Sequence, residues 1–178
     1  MGFDKSFILW IALLYRDITS VCQINGHLGN SFAIRRGVRQ GCPLSMILYV
    51  LAQEPLYQAI RHTKQIKSFD LPCRQTKLLG FADDTSIFVN TEISIIYIFS
   101  ILEYFERASS IKLNVLKTRI FGFGEWKGRT VWPYPNIKAE TSSITILGIT
   151  YTHDFKVSIE TSWTNVLRQI KSENRYAI

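Results

Sequence analysis

The chain has 178 residues, enough for one domain with a real core or for a large piece of a longer protein. Apolar content of 47% and aromatic content of 13% exclude a disordered chain. The formal charge of +7 points to polyanionic partners, nucleic acid before anionic membrane. Cys22, Cys42 and Cys73 are odd in number, widely spaced and lack a CxxC pair, which argues against a disulfide framework or thiolate zinc site. They read as reduced cysteines of an intracellular protein.

The amino-terminal MGFDKS matches a loose myristoylation pattern, and FILWIALLY imitates the apolar core of a signal peptide. The run is too short to span a bilayer, and Asp4 stands where a signal peptide carries basic charge. Phe7, Trp10, Ile11 and Leu14 recur at helical spacing and predict a buried helix instead. SVCQINGHLGNSFAI reads as two short strands around the turn pair Asn25-Gly26. After the basic, glycine-containing RRGVRQGCP, a long helix opens at Pro43, a residue favoured in the first turn. Leu44, Ile47, Leu48 and Leu51 mark its expected buried face, and Pro55 predicts a kink or an early end. A loop through Pro72 leads to KLLGFADDTSIFV, which reads as strand, tight turn, strand. A helix over residues 92–109 follows, and KLNVLKTRIFGFG reads as a turn entering a strand. GEWKGRTVWPYPN reads as an exposed loop and ITILGITY as a short strand. The last helix carries Trp163, Val166, Leu167 and Ile170 at helical spacing. No repeat, low-complexity tract or linker interrupts the chain, so the economical fold is α+β with an antiparallel sheet.

The chemistry concentrates in two places. Asp83 and Asp84 are adjacent acids between apolar runs, a costly arrangement unless a cation or strong hydrogen bonds compensate. Neighbours at a tight turn point in different directions, so one acid leads into a site while the other supports it. Such hard oxygen donors suit Mg²⁺, which takes one or two carboxylates plus substrate phosphates. Two-metal phosphoryl transfer holds its ions about 3.5–4 Å apart and needs a further carboxylate from another strand. Taken alone, the pair is weak evidence, because aspartate is a common turn residue for purely conformational reasons and in most proteins that explanation holds. The second place is IRRGVRQGCPLS. Arg35, Arg36 and Arg39 can bind phosphates bidentately, Gly37 and Gly41 allow close backbone approach, and Gln40 offers both donor and acceptor to a base or sugar edge. The bland counterpart is a basic loop capping a helix.

GVRQGCPLSMILYVLAQEPL, the FADDT turn and SSIKLNVLKT occur in a fixed order that resembles the reverse transcriptases of non-LTR (LINE-type) retrotransposons. That family writes these segments as a helix-opening RQGCPLSP, a YADD or FADD hairpin and a turn like SGLKLNxxKT. FILWIALLYRDITSVCQINGHLGNSF resembles its preceding helix and hairpin, and ILGITY its LG-containing strand near the thumb. The resemblance implies a right-hand polymerase palm: an antiparallel sheet packed with helices, partial, over residues 1–125. Residues 126–178 would end the palm connection and start a thumb-like region. It implies an RNA-directed DNA polymerase using an RNA template, a DNA primer, dNTPs and a two-ion Mg²⁺ site, with no membrane partner. Asp83 and Asp84 would be catalytic metal-binding acids, and Phe81 would stand at the family's Tyr/Phe position beside them. Arg39, Gln40, Gly41 and Pro43 would face template and incoming nucleotide. Lys117 would lie near the triphosphate and help protonate the leaving pyrophosphate. The implied location is intracellular, in the nucleus or cytoplasm with the element's ribonucleoprotein.

Two departures accompany the resemblance. The family's first catalytic motif, a strand ending in a metal-binding aspartate, has no counterpart, since Asp4, Asp17 and Asp70 lack that setting. Met46 stands where the family has Pro after LS. The expectation is a polymerase fragment that is inactive alone, because loss of a metal ligand costs orders of magnitude in rate. The competing expectations are a non-catalytic nucleic-acid-binding remnant and a domesticated protein-binding scaffold. Group II intron and telomerase-type polymerases share the palm chemistry, but RQGCPLS and the NGHL-containing flank favour the retrotransposon branch.

Overall fold

The computed structural model describes residues 2–35, 37, 38, 41–71, 74–134 and 136–173. It divides into two compact units, residues 1–50 and 51–178.

In the first unit, α1 (Lys5–Leu14) is capped by Asp4, whose carboxylate accepts from the Ser6 hydroxyl and, at 2.9 Å, from the Ser6 amide. Those bonds hold the Asp4 carboxyl below its ordinary range. The helix forms where the periodicity predicts, but none of its residues is buried, and Trp10 remains 62% exposed. The expectation of a buried helix is therefore corrected. Ile18 is the single buried apolar side chain among the described residues of this unit, too little core to cover α1. Strands β1 (Thr19–Ser20) and β4 (Phe32–Ala33) pair antiparallel around the inner hairpin of β2 (Gln23–Ile24) and β3 (His27–Leu28). Asn25 and Gly26 both take positive φ, 49° and 83°, as a type I′ turn requires.

Helix α2 (Pro43–His62) starts in the first unit and continues into the second. It opens at Pro43 as expected, and Pro55 does not shorten it. Its burial lies later than the sequence pattern places it: Ile47 is exposed, while Leu56, Tyr57 and Ile60 are buried.

The second unit is organised on α3 (Glu92–Ser109), which spans the predicted residues. Thr91 caps its start and Ser110, left-handed at φ 61°, ends it. Ile98 joins Leu56, Tyr57, Ile60, Ile66 and Leu78 in one cluster; Ile95 and Phe99 join Trp132 and Ile137 in another. In the first turn of α3, Ser94 is fully buried. Its hydroxyl donates to the Gln65 carbonyl at 3.1 Å and accepts from the Lys67 amide at 2.9 Å and the Thr91 hydroxyl at 2.6 Å. A buried hydroxyl so satisfied fastens the segment after α2 to the start of α3.

The strands of this unit form separate two-stranded ladders among the described residues, where one antiparallel sheet was expected. Strands β5 (Asp70–Leu71) and β6 (Arg74–Gln75) pair antiparallel, as do β7 (Leu78–Phe81) and β8 (Asp84–Ile87). Strand β9 (Arg119–Phe121) pairs in parallel with β10 (Lys138–Glu140), and β11 (Ser143–Ile146) pairs antiparallel with β12 (Ile149–Thr152). ITILGITY is thus most of a hairpin and not a single strand, because Leu147 and Gly148 turn at φ 50° and 81°. The ladder stays short because side chains take the next position. Helix α4 (Phe155–Glu173) bonds β12 through serines: Ser162 Oγ accepts from the Thr150 amide at 3.0 Å, and Ser158 Oγ from the Thr152 amide at 2.8 Å. The polar side of α4 thereby faces the hairpin, and Trp163, Val166, Leu167 and Ile170 are exposed.

The segment expected as an exposed loop is anchored instead. Trp132 is buried against α3, Trp126 meets it edge-on at 5.5 Å, and the Arg129 guanidinium lies 4.8 Å over its ring. Arg129 also bonds Glu92 at 2.6 Å, which holds the Glu92 carboxyl below its ordinary range. Gly122 lets this segment close: a Cβ there would strike the Trp126 carbonyl group and come within 2.9 Å of the Trp126 Cβ. Gly122→Ala is expected to destabilise the chain by about 1–3 kcal/mol in urea unfolding, the range for forced overpacking.

Candidate active site

The two acids sit at the tip of a hairpin whose register is Leu78↔Ile87, Leu79↔Ser86, Gly80↔Thr85 and Phe81↔Asp84. Two residues, Ala82 and Asp83, make the turn. Ala82 has φ 49°, the left-handed region in which a Cβ costs roughly 1–2 kcal/mol. The ladder continues below through Phe88, whose amide donates to the Lys77 carbonyl at 2.8 Å.

Strand alternation separates the two faces. Leu78, Gly80, Thr85 and Ile87 face the core. There the Tyr57 hydroxyl of α2 lies 2.8 Å from Thr85 Oγ1 and donates to Gln53 Oε1 at 3.3 Å. Gly80 leaves room for that ring, since a Cβ at this position would come 2.6 Å from the Tyr57 hydroxyl. The glycine in LLGF is the sequence signal for this close approach. Lys77 ties the base of the hairpin to the end of α2, donating to the Arg61 and Thr63 carbonyls at 2.8 and 2.9 Å.

Leu79, Phe81, Asp84 and Ser86 lie on the other face. Phe81 is 66% exposed and Leu79 58%. Asp83 and Asp84 are exposed, and neither carboxylate has a hydrogen-bond or ion-pair partner among the described residues. Their donor chemistry fits one Mg²⁺ shared with substrate phosphates. Among the described residues no group of three or more His, Cys, Asp or Glu could hold a metal ion, so the pair does not make up a two-ion set.

The other expected site residues lie elsewhere along the chain. Pro43 is exposed at the first position of α2, and Gly41 takes φ 79° just before it. Arg36, Arg39 and Gln40 lie outside the described residues. Lys117 is exposed in a turn fixed by Asn114, whose side chain and backbone carbonyl both accept from the Lys117 amide at 3.1 Å. Cys42 is the unanticipated feature of this region. The Leu44 amide, together with Ser45 and Tyr15, draws its thiol below the ordinary range.

A protein-family comparison matches residues 1–151 to "Reverse transcriptase (RNA-dependent DNA polymerase)". The chain belongs to the reverse transcriptase family. The matched residues of this reverse transcriptase chain include the acid hairpin, RQGCPLS and the LKT turn, and they stop before α4. It is also similar, at 29% identity over 149 residues, to "Transposon TX1 uncharacterized 149 kDa protein" of Xenopus laevis. The match covers 83% of this chain and 11% of that relative's length. Both findings agree with the resemblance to retrotransposon reverse transcriptases drawn from RQGCPLS and FADD. No helix among the described residues is long and apolar enough to cross a membrane.

The geometry of the turn gives a direct check. Ala82→Gly is expected to stabilise the chain by about 1 kcal/mol in urea unfolding, by removing the Cβ conflict at positive φ. Asp84→Asn is expected to be neutral or mildly stabilising without metal, since it removes a like charge beside Asp83. A clear loss of stability with either variant would show that the turn is held by contacts to these side chains.

Proposed function

We propose that this chain is part of the polymerase domain of a non-LTR retrotransposon, with Asp83 and Asp84 at the palm end of its nucleotidyl-transfer site. The observation that carries the reading is the hairpin tip: two exposed carboxylates, unpartnered among the described residues, on a hairpin held from its inner face by Tyr57 in a chain of this family. Residues 1–125 are the palm part and residues 126–178 lead towards the thumb. The substrates are an RNA template, a DNA primer and dNTPs.

In this reading, Asp83 and Asp84 would hold Mg²⁺, which would supply charge neutralisation at the transferred phosphoryl group. Phe81, opposite Asp84, offers an apolar surface beside the reacting end. Arg39, Gln40, Gly41 and Pro43 would contact the template and nucleotide, and Lys117 would supply a proton to the leaving pyrophosphate. Two carboxylates do not complete the ligand set that two ions require, so the 178-residue polypeptide by itself does not extend primers. The absence of a three-ligand group among the described residues also favours a second reading, nucleic-acid binding without catalysis.

Thermal melting and primer extension test both parts. With a template–primer duplex and dNTP present, Mg²⁺ is expected to raise the Tm of the wild-type chain, by the equivalent of about 2.7 kcal/mol at a hundredfold excess over Kd. Asp83→Asn or Asp84→Asn should remove most of that gain. Equal gains in wild type and both variants would reject the metal role. Mg²⁺-dependent incorporation well above background by the 178-residue chain would reject the claim of inactivity.

A further inference from the structure

Outside the acid hairpin, the solvent face of the β9–β10 ladder gathers aromatic rings and cations that the site already described does not use. Alternation along β9 puts Ile120 and its partner Ala139 against the Trp132 cluster, and turns Arg119, Phe121, Lys138 and Glu140 the other way. Phe121 stacks on His153 at 4.7 Å with 24° between the rings. Phe123 stands edge-on to both, at 4.7 Å and 87° to Phe121 and at 6.0 Å and 77° to His153. His153 Nε2 lies 3.0 Å from the Thr141 carbonyl oxygen, which can only accept, so Nε2 carries the proton and the ring is held in place. Phe123 remains 49% exposed while its neighbours fix it. Two strand steps before Phe121, about 7 Å, stand Arg119 and its ladder partner Lys138. Glu140 binds both cations, at 3.2 and 2.9 Å, so the three side chains carry a net +1 and are held in one place.

A fixed exposed ring beside fixed cations is the combination by which proteins bind single-stranded nucleic acid: stacking for the base, charge for the backbone. We propose that this face is a stacking platform for single-stranded polynucleotide, with Phe123 under a base and Arg119 and Lys138, beyond Phe121, on a phosphate farther along the strand. The proposal rests on the polymerase reading for its nucleic-acid partner, and it adds a binding surface separate from Asp83 and Asp84. Glu140 restrains this surface, because it neutralises one of the two charges that a phosphate would meet.

Fluorescence anisotropy tests it with the full 178-residue chain, a fluorescein-labelled oligothymidylate and an abasic strand of equal length, across a salt series. Phe123→Ala is expected to weaken oligothymidylate binding about tenfold and to leave the abasic strand unchanged, since only a base can stack. Glu140→Gln is expected to tighten both strands and to steepen the salt dependence by about 0.7 in log–log slope, one extra phosphate neutralised. Equal binding by Phe123→Ala and wild type, or equal weakening on both strands, overturns the platform while leaving the polymerase reading intact. Weaker binding by Glu140→Gln also overturns it, by making Glu140 a support of the surface. Absence of any binding by wild type overturns the platform, while the Mg²⁺ melting shift judges the polymerase reading separately.

Discussion

Helix α3 is buried on two sides, and the second unit depends on that constraint. Ile98 closes the cluster shared with α2 and β7, and Ile95 with Phe99 closes the one shared with Trp132 and Ile137. A helix buried on both flanks needs its polar groups satisfied from within, and Ser94 does this at the first turn by bonding Gln65, Lys67 and Thr91. The hairpin with the acids inherits its position from this packing. Leu78 lies in the first cluster, and Tyr57, in the same cluster, sets the hairpin's inner face through Gly80 and Thr85.

That arrangement lets exposed charge coexist with a firm support. The core face of β7 and β8 is apolar or hydrogen-bonded, while the opposite face bears Phe81, Asp84 and Leu79 in water. Two adjacent carboxylates without partners among the described residues gain no ion pair there, and the left-handed Ala82 between the strands adds strain. Features that cost stability on a well-packed base agree with the proposed role of the hairpin tip.

The sequence signals that were legible are the strongly local ones. Asn25-Gly26 specified its turn, Pro43 the opening of α2, and the isoleucine-rich pattern the limits of α3. The tight turn around Asp83 was legible for the same reason, since two apolar runs flank a two-residue connection. Burial was less legible because it depends on distant partners. Trp10 and Trp163 lie on apolar stripes as regular as that of α3, yet both stay exposed among the described residues. Trp132 sits in a segment of glycine, proline and charge, and it is buried because α3 offers Ile95 and Phe99. Leu147-Gly148 escaped notice as a turn because leucine rarely takes positive φ. The role of Tyr57 was invisible in its own helix, although Gly80 carried half of that contact in the strand.

The serine attachment of α4 has a consequence for how the chain opens. Hydroxyl-to-amide bonds join α4 to β12, while its large apolar residues face outward and bury little. Such a joint contributes few of the contacts that bind a segment to the global unfolding transition. Native-state hydrogen exchange should therefore sort the two long helices into different cooperative units. Amides of α4 would exchange through a small local opening with a shallow denaturant dependence, and those in the middle of α3 only when the unit unfolds as a whole.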